Sequence, residues 1–141
     1  MATGTVRHTL VGHENYVRAF VFTPDEQRII SASSDATLKV WDLNSGQEIY
    51  TLEGHGGWVR AVDVTPDGLR AVSVSWDDTL IMWDLQEGTG IAEFTGESRL
   101  LSCAILPDGK TIVAGERSGR LHFLKLEGLD EGDDNFPHAE F

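Results

Sequence analysis

Apolar and polar residues alternate along most of the chain with a period of two, and turn-forming residues interrupt the alternation every few positions. Because successive side chains of a β-strand point to opposite faces of a sheet, this pattern predicts short antiparallel strands and no helix. The predicted strands form two groups of four and one group of three. They lie near residues 16–23, 28–34, 37–42 and 47–52, then 58–65, 70–76, 79–84 and 90–95, and finally 99–106, 111–117 and 120–126.

The strand groups carry the same marker residues at a fixed spacing of 42 positions. Gly12-His13 returns as Gly54-His55, Asp35 as Asp77, and Trp41-Asp42 as Trp83-Asp84. A Pro-Asp turn occurs three times, at residues 24–25, 66–67 and 107–108. Self-similarity at this period indicates a repeat architecture, so we divide the chain into repeats at residues 12–53, 54–95 and 96–126.

The third repeat lacks its fourth strand, and a strand of the same kind stands before the first repeat. Residues 5–11 (TVRHTLV) match the fourth strands of the other repeats and predict an outer strand. At the other end, residues 127–141 carry six acidic residues and no Lys or Arg, which is half of the net charge of −12. Such a segment without strand alternation predicts a solvated acidic tail.

The period, the Gly-His pairs and the Trp-Asp pairs resemble the WD-repeat β-propeller family over residues 5–126. The third repeat departs from the pattern, since Glu97 replaces His, Ser118 replaces Asp and Leu124 replaces Trp. The resemblance implies an all-β fold of four-stranded antiparallel blades, three in this chain, and a non-catalytic protein-interaction scaffold. The end of the third repeat also resembles the C-terminal arrays of prokaryotic signalling NTPases, which offers an alternative function as a sensor or regulatory propeller fragment.

In the family that this chain resembles, a buried hydrogen-bond network holds each blade. The matching residues are His13, Asp35 and Trp41 in the first repeat and His55, Asp77 and Trp83 in the second. The serine hydroxyl of the network is Ser31 or Ser33, and Ser73 or Ser75, because residues two apart in a strand share a face. We take Ser33 and Ser75 as the candidates. The third repeat is expected to lack such a network and to pack through Leu100, Ile105, Ile112, Leu121, Phe123 and Leu124.

The resemblance also places three positions of each blade on the loop face at one end of the central channel. These positions hold Tyr16, Arg18, Ser34, Trp58, Arg60, Trp76, Arg99, Leu101 and Arg117. Tryptophan, tyrosine and arginine dominate binding energy at protein interfaces, so this face is the candidate site for a partner protein or peptide. Arginine pairs with carboxylates and stacks on rings, which predicts an acidic or aromatic partner segment.

Several other functions are not expected. A net charge of −12 disfavours binding to nucleic acid, which depends on Lys and Arg that neutralise phosphates. No apolar run is long enough to span a membrane, and we expect a cytoplasmic protein. The Ser, His and Asp residues could suggest a catalytic triad, but the set occurs twice and a nucleophile needs no duplicate. The histidines lack the spacing of metal ligands, and no cofactor is expected.

Three blades are too few to close a propeller, which normally has about four to eight. The unmatched strand at residues 5–11 is of the type that is missing beside residues 120–126. We therefore expect a homodimer in which two chains exchange this strand and complete a ring of six blades. A ring of three chains, completion by another protein, and a purely structural half-propeller without any other partner remain as alternatives.

Overall fold

The computed structural model describes residues 3–126, which form eleven strands in three antiparallel sheets and contain no helix. The tail predicted at residues 127–141 lies outside the described residues. The first blade contains β1 (Val17–Phe22), β2 (Arg28–Ser33), β3 (Leu38–Asp42) and β4 (Glu48–Leu52). The second contains β5 (Val59–Val64), β6 (Arg70–Ser75), β7 (Thr79–Asp84) and β8 (Thr89–Thr95). The third contains β9 (Leu100–Ile105), β10 (Thr111–Glu116) and β11 (Leu121–Lys125).

All eleven predicted strands are confirmed, and the strand order in each sheet follows the sequence. The turns explain why the strands end where they do. In the second blade the Thr65 hydroxyl donates to the Asp67 carboxylate at 2.6 Å, and Asp67 accepts the backbone N–H of Leu69. Gly68 has a φ of 74°, a conformation that disfavours residues with a Cβ. This local chemistry fixes the hairpin between β5 and β6.

The three blades pack face to face in chain order, with β5 between β1 and β9. One apolar core lies between the first and second blades and includes Leu38, Val40 and Val59. Another lies between the second and third blades and includes Leu80, Met82 and Leu100. The second blade is therefore buried on both faces, whereas the first and third blades are each buried on one.

The two outer faces of the stack leave large apolar side chains uncovered. Phe20 and Phe22 of the first blade are 61% and 50% exposed, and Leu121 and Phe123 of the third blade are 66% and 72% exposed. The prediction that Leu121 and Phe123 pack in the core of the third blade was therefore wrong. Their strand β11 corresponds to β7, whose Leu80 and Met82 are fully buried because the third blade covers them, and no blade covers β11 among the described residues.

Residues 5–11 form no strand in the single chain, contrary to the expected outer strand. The segment lies beside the first blade, where the ring of His8 forms a hydrogen bond with the backbone carbonyl of Asn44 through Nε2, at 3.1 Å. Val6 and Val11 are more than four-fifths exposed. A strand needs a neighbouring edge, and the edge expected for this one is β11, at the other end of the stack. The exchange of this segment between two chains stays a prediction.

Candidate functional site

In the first two blades, a tryptophan, a serine, a histidine and an aspartate form one hydrogen-bond network. In the first blade, Trp41 Nε1 donates to Ser31 Oγ at 2.9 Å, and Ser31 Oγ lies 2.6 Å from His13 Nε2. His13 Nδ1 lies 2.9 Å from Asp35. The corresponding distances among Trp83, Ser73, His55 and Asp77 are 2.8, 2.7 and 3.2 Å. Two blades are thus held by the same arrangement of four side chains.

The serine of the network is Ser31 in the first blade and Ser73 in the second. The choice of Ser33 and Ser75 was therefore wrong. Ile29 pairs with Trp41 across β2 and β3, so Ser31 is the nearest residue on the same face of the strand. Ser33 is one step further, at the turn, where its hydroxyl accepts the backbone N–H of Asp35 at 3.1 Å. Ser75 accepts the backbone N–H of Asp77 in the same way.

Burial keeps the histidine of the second blade neutral. It lowers the pKa of His55, and the attraction of Asp77 only partly offsets this effect. Burial alone would raise the pKa of Asp77, but hydrogen bonds from Thr79 and from the backbone of Gly56 outweigh it and lower that pKa. A neutral ring can accept from the Ser73 hydroxyl and donate to the Asp77 carboxylate, while Trp83 can only donate. Every polar group in the network is therefore satisfied.

The order serine, histidine, aspartate is also that of a hydrolytic triad. Here the hydroxyl already accepts the tryptophan N–H, and Ser73 is completely buried. A hydroxyl in this position cannot reach a substrate. The arrangement stabilises the blade and is not built for nucleophilic attack.

The third blade has a polar network of its own, which differs from the tryptophan–serine–histidine–aspartate network that it was expected to lack. The buried carboxylate of Glu116 accepts hydrogen bonds from the hydroxyls of Ser98 and Ser118, at 2.8 and 2.9 Å. His122 Nε2 and the backbone N–H of Glu97 also contact it. The bond from His122, with those from the two serines, lowers the pKa of Glu116 from 4.5 to about 2. An ionised carboxylate thus occupies the centre of this blade's network.

Arginine and tryptophan side chains from all three blades stack on the face where β1, β5 and β9 begin. The rings of Trp58 and Trp76 are stacked, with centroids 4.4 Å apart and planes 19° apart. The guanidinium of Arg18 lies over Trp58 at 4.6 Å, and that of Arg99 over Trp76 at 4.4 Å. We call Arg18, Trp58, Trp76 and Arg99 the arginine–tryptophan stack. Cation–π contacts of this kind contribute about 0.5 to 2 kcal/mol each.

One backbone hydrogen bond in each blade brings these positions together. Ser34 N donates to Tyr16 O, Trp76 N to Trp58 O, and Arg117 N to Arg99 O, each at 2.8 or 2.9 Å. The remaining predicted face residues surround the stack or lie near it on the same end. Arg60 lies over Trp76 at 5.4 Å, and Arg18 donates through Nε to the Ser34 hydroxyl and lies over Tyr16. Leu101 and Arg117 are exposed.

This face is rich in donors and poor in acceptors. Within residues 3–126, no carboxylate lies within salt-bridge distance of Arg18, Arg60, Arg99 or Arg117. The Nε atom of Arg60 and the Nε1 atom of Trp76 are buried without an acceptor in the same part of the chain. A buried donor without a partner costs roughly 1 to 3 kcal/mol. Among the described residues, the arginines of this face therefore have no carboxylate partner of their own.

Two further properties bear on the kind of site. Among residues 3–126, no group of three or more His, Cys, Asp or Glu side chains is arranged to hold a metal ion. That part of the chain also has no helix that could cross a membrane.

Residues 4–42 and 46–84 match the family model described as WD domain, G-beta repeat. The chain belongs to the WD40 repeat family. Among similar proteins is the nuclear distribution protein PAC1 of Coccidioides posadasii, 51% identical over 29% of this chain and 9% of its own length. Another is the nuclear distribution protein nudF 2 of Aspergillus clavatus, 51% identical over 30% of this chain and 10% of its own length. This chain thus spans about a tenth of the relatives that it matches.

The match to the WD40 model ends before the third repeat, and the structure shows how that repeat differs. Glu116 occupies the position of Ser33 and Ser75, two residues before the turn position that Ser118 fills. Sequence reasoning missed Glu116 because its position lies outside the Gly-His, turn-aspartate and Trp-Asp positions that were compared between the repeats. A signal was present, since an acidic residue ends an otherwise apolar strand and His122 lies diagonally opposite on β11.

Proposed function

We propose that this WD40 chain is a non-catalytic scaffold that binds a partner peptide or protein on the face of the arginine–tryptophan stack. The observation that carries the proposal is the group of four arginines and two tryptophans on one face, none of the arginines paired with a carboxylate of residues 3–126. Aromatic and arginine side chains that lose water at an interface contribute most of its binding energy. A cytoplasmic location fits this role.

The names of the relatives do not decide the partner. PAC1 and nudF 2 are nuclear distribution proteins, and this chain covers about a tenth of each. The alternative of a sensor fragment from a signalling NTPase depends only on the resemblance of the third repeat. The proposal requires neither a nuclear distribution role nor a sensor role, because it concerns the binding face alone.

A peptide library selected on the full chain tests this function. The peptides that bind should lose binding to the variant Arg99→Gln with Arg117→Gln, because the variant removes two exposed guanidinium groups of this face. The combination Arg60→Ala with Trp76→Ala should abolish binding. A control with Arg70→Gln and Lys110→Gln removes the same charge at the opposite ends of β6 and of the third blade and should bind normally. Selected peptides that bind all of these variants equally would show that the face is not the site.

We also propose that two chains form a ring of six blades. The support is that each outer face of the stack of blades corresponds to a face that another blade covers elsewhere in the chain. Phe20 and Phe22 of the first blade correspond to Val62 and Val64, which pack against the first blade. Leu10 and Phe20 line a cavity beside Trp41 that a neighbouring blade could fill. Such faces are unfavourable in water and favour association with a further blade.

Light scattering on the purified chain tests the dimer. The expected mass is twice that of the chain, and the variant Phe20→Glu with Phe123→Glu should be reduced to a monomer. A well-folded monomer of the unaltered chain, a trimer, or a complex that forms only with a second protein would each contradict the two-chain ring.

A further inference from the structure

The ring faces of the two stacked tryptophans are contacted by side chains of the protein itself, and Trp58 keeps 37% of its surface exposed. One face of Trp76 lies against Trp58, and the guanidinium of Arg99 lies over the ring at 4.4 Å, so it must cover the other face. The outer face of Trp58 is covered in the same way by Arg18 at 4.6 Å. A partner's aromatic ring would have to displace an arginine before it could stack. The protein's own side chains therefore already occupy the places that an aromatic partner needs.

The guanidinium groups, in contrast, keep most of their donors. Arginine has five N–H donors, and within residues 3–126 the arginines of this face make a single side-chain hydrogen bond, from Arg18 Nε to Ser34. Stacking on a ring uses the face of the guanidinium and leaves its edge available. A carboxylate fits that edge with two parallel hydrogen bonds. The hydrogen-bond donors that remain free on this face are thus those that a carboxylate would satisfy.

The length of the stack sets an upper limit on the spacing of the carboxylates. The successive separations from Arg18 through the two rings to Arg99 are 4.6, 4.4 and 4.4 Å. The two guanidinium carbons are therefore at most about 13 Å apart, a distance that four residues of extended chain span at roughly 3.3 Å each. An extended peptide with acidic residues at positions i and i+4 can reach both ends of the stack.

We infer that the partner is an acidic segment of another protein, and that it binds by placing one carboxylate on Arg18 and a second, four residues away, on Arg99. This inference rests on the proposed function and specifies its chemistry. The tryptophan pair acts as a rigid spacer that positions the two guanidinium groups, and the lack of acidic side chains beside them leaves their charge uncompensated. Binding should weaken as salt screens the ion pairs.

Calorimetry with the full chain and four synthetic peptides tests the inference. The peptides are uncharged Gly-Ser sequences that carry Glu at i and i+4, Glu at i and i+1, Gln at i and i+4, or Tyr at i and i+4. The first should bind at least about tenfold more tightly than the other three. Arg99→Gln should weaken it about tenfold, and Arg70→Gln, the same change at the far end of β6, should leave it unaltered. Equal binding of the Glu and Gln peptides would overturn the inference.

Two outcomes separate this inference from the proposed function. If the Tyr peptide binds more tightly than the Glu peptides and loses binding in Arg99→Gln, the face is a binding site but its chemistry is wrong. If library-selected peptides bind independently of the face, the proposed function itself fails.

A separate experiment tests whether the acidic tail of the chain itself occupies the face. A full-length variant with amides in place of Asp130, Glu131, Asp133 and Asp134 should bind the i and i+4 Glu peptide as the unaltered chain does. If only the variant binds, the occupant is the chain's own tail, and the assignment to another protein is overturned.

Discussion

The second and third blades bury polar side chains at the same place, below the turn between their second and third strands, but the carboxylate stands at the end of one network and at the centre of the other. The second blade joins Trp83, Ser73, a neutral His55 and Asp77 in a line, in which Trp83 donates, Ser73 and His55 each accept from one neighbour and donate to the next, and Asp77 accepts. The third blade places an ionised carboxylate, Glu116, at the centre and surrounds it with donors.

This difference shows why a blade can lose its motif without losing its polar network. A linear network needs particular residues, because its two inner members, the serine and the histidine, must each accept on one side and donate on the other. A carboxylate only accepts, so two serine hydroxyls, a histidine and a backbone N–H can all serve as its partners. The carboxylate-centred network of the third blade therefore places few demands on sequence and is correspondingly hard to recognise.

The largest effect is expected from breaking the linear network at its serine. Ser73→Ala should reduce the free energy of unfolding by about 2 kcal/mol, because Trp83 and His55 each lose a buried partner. Ser75→Ala removes the same atom at an equally buried position but deprives only the backbone N–H of Asp77, so about 1 kcal/mol is expected. Urea unfolding measures both. A larger loss of unfolding free energy for Ser75→Ala than for Ser73→Ala would show that Ser73 is not the serine of the network.

The central carboxylate should give the third blade a distinct dependence on pH. The pKa of Glu116 is about 2 in the folded chain against an ordinary value of 4.5, so folding favours its ionised form. Its contribution to stability is therefore complete above pH 4.5 and is lost as the pH falls from 4.5 toward 2. Glu116→Gln should be less stable than the unaltered chain at neutral pH, and the gap should close in this acid range.

Urea midpoints measured across the pH range test this expectation. The exposed Glu87→Gln serves as the matched control and should follow the unaltered chain at every pH. A gap between Glu116→Gln and the unaltered chain that persists unchanged at the acid end would contradict the role of the carboxylate.

The smallest effect is expected at the rim of the third-blade network. Ser118 is exposed and makes one good hydrogen bond to Glu116, so Ser118→Ala should cost less than about 1 kcal/mol. Ser98→Ala should cost more, because that hydroxyl also accepts the backbone N–H of Ser118. If thermal unfolding ranked Ser118→Ala beside Ser73→Ala, the correspondence between Ser118 and the turn aspartates would be wrong.

The strands could be predicted from sequence because their causes are local. A period of two and a turn residue such as Gly68 define each hairpin without reference to the rest of the chain. The choice between Ser73 and Ser75 could not be made locally, since it depends on which serine lies diagonally opposite Trp83. Burial of Leu121 and Phe123 could not be predicted either. Alternation identifies side chains that share a face, but it does not show whether another blade covers that face.

The candidate site was predictable only in part. The sequence placed Tyr16, Trp58 and Arg99 on one face through the resemblance, and it left open whether an acidic or an aromatic partner would fit. The order in which the arginines and rings stack depends on distances between blades, which no single repeat contains.

The arginine–tryptophan stack has a mechanical consequence, because its four side chains come from all three blades. Rotation of the first or third blade against the second would slide Arg18 or Arg99 off the tryptophan ring that it covers. A ligand that bridges Arg18 and Arg99 would therefore also fix the angle between the first and third blades. Coupling between two equilibria is reciprocal, so a neighbour that holds the blades at that angle would raise the affinity for the ligand by the same factor. Ring closure and partner binding would then act as one allosteric system.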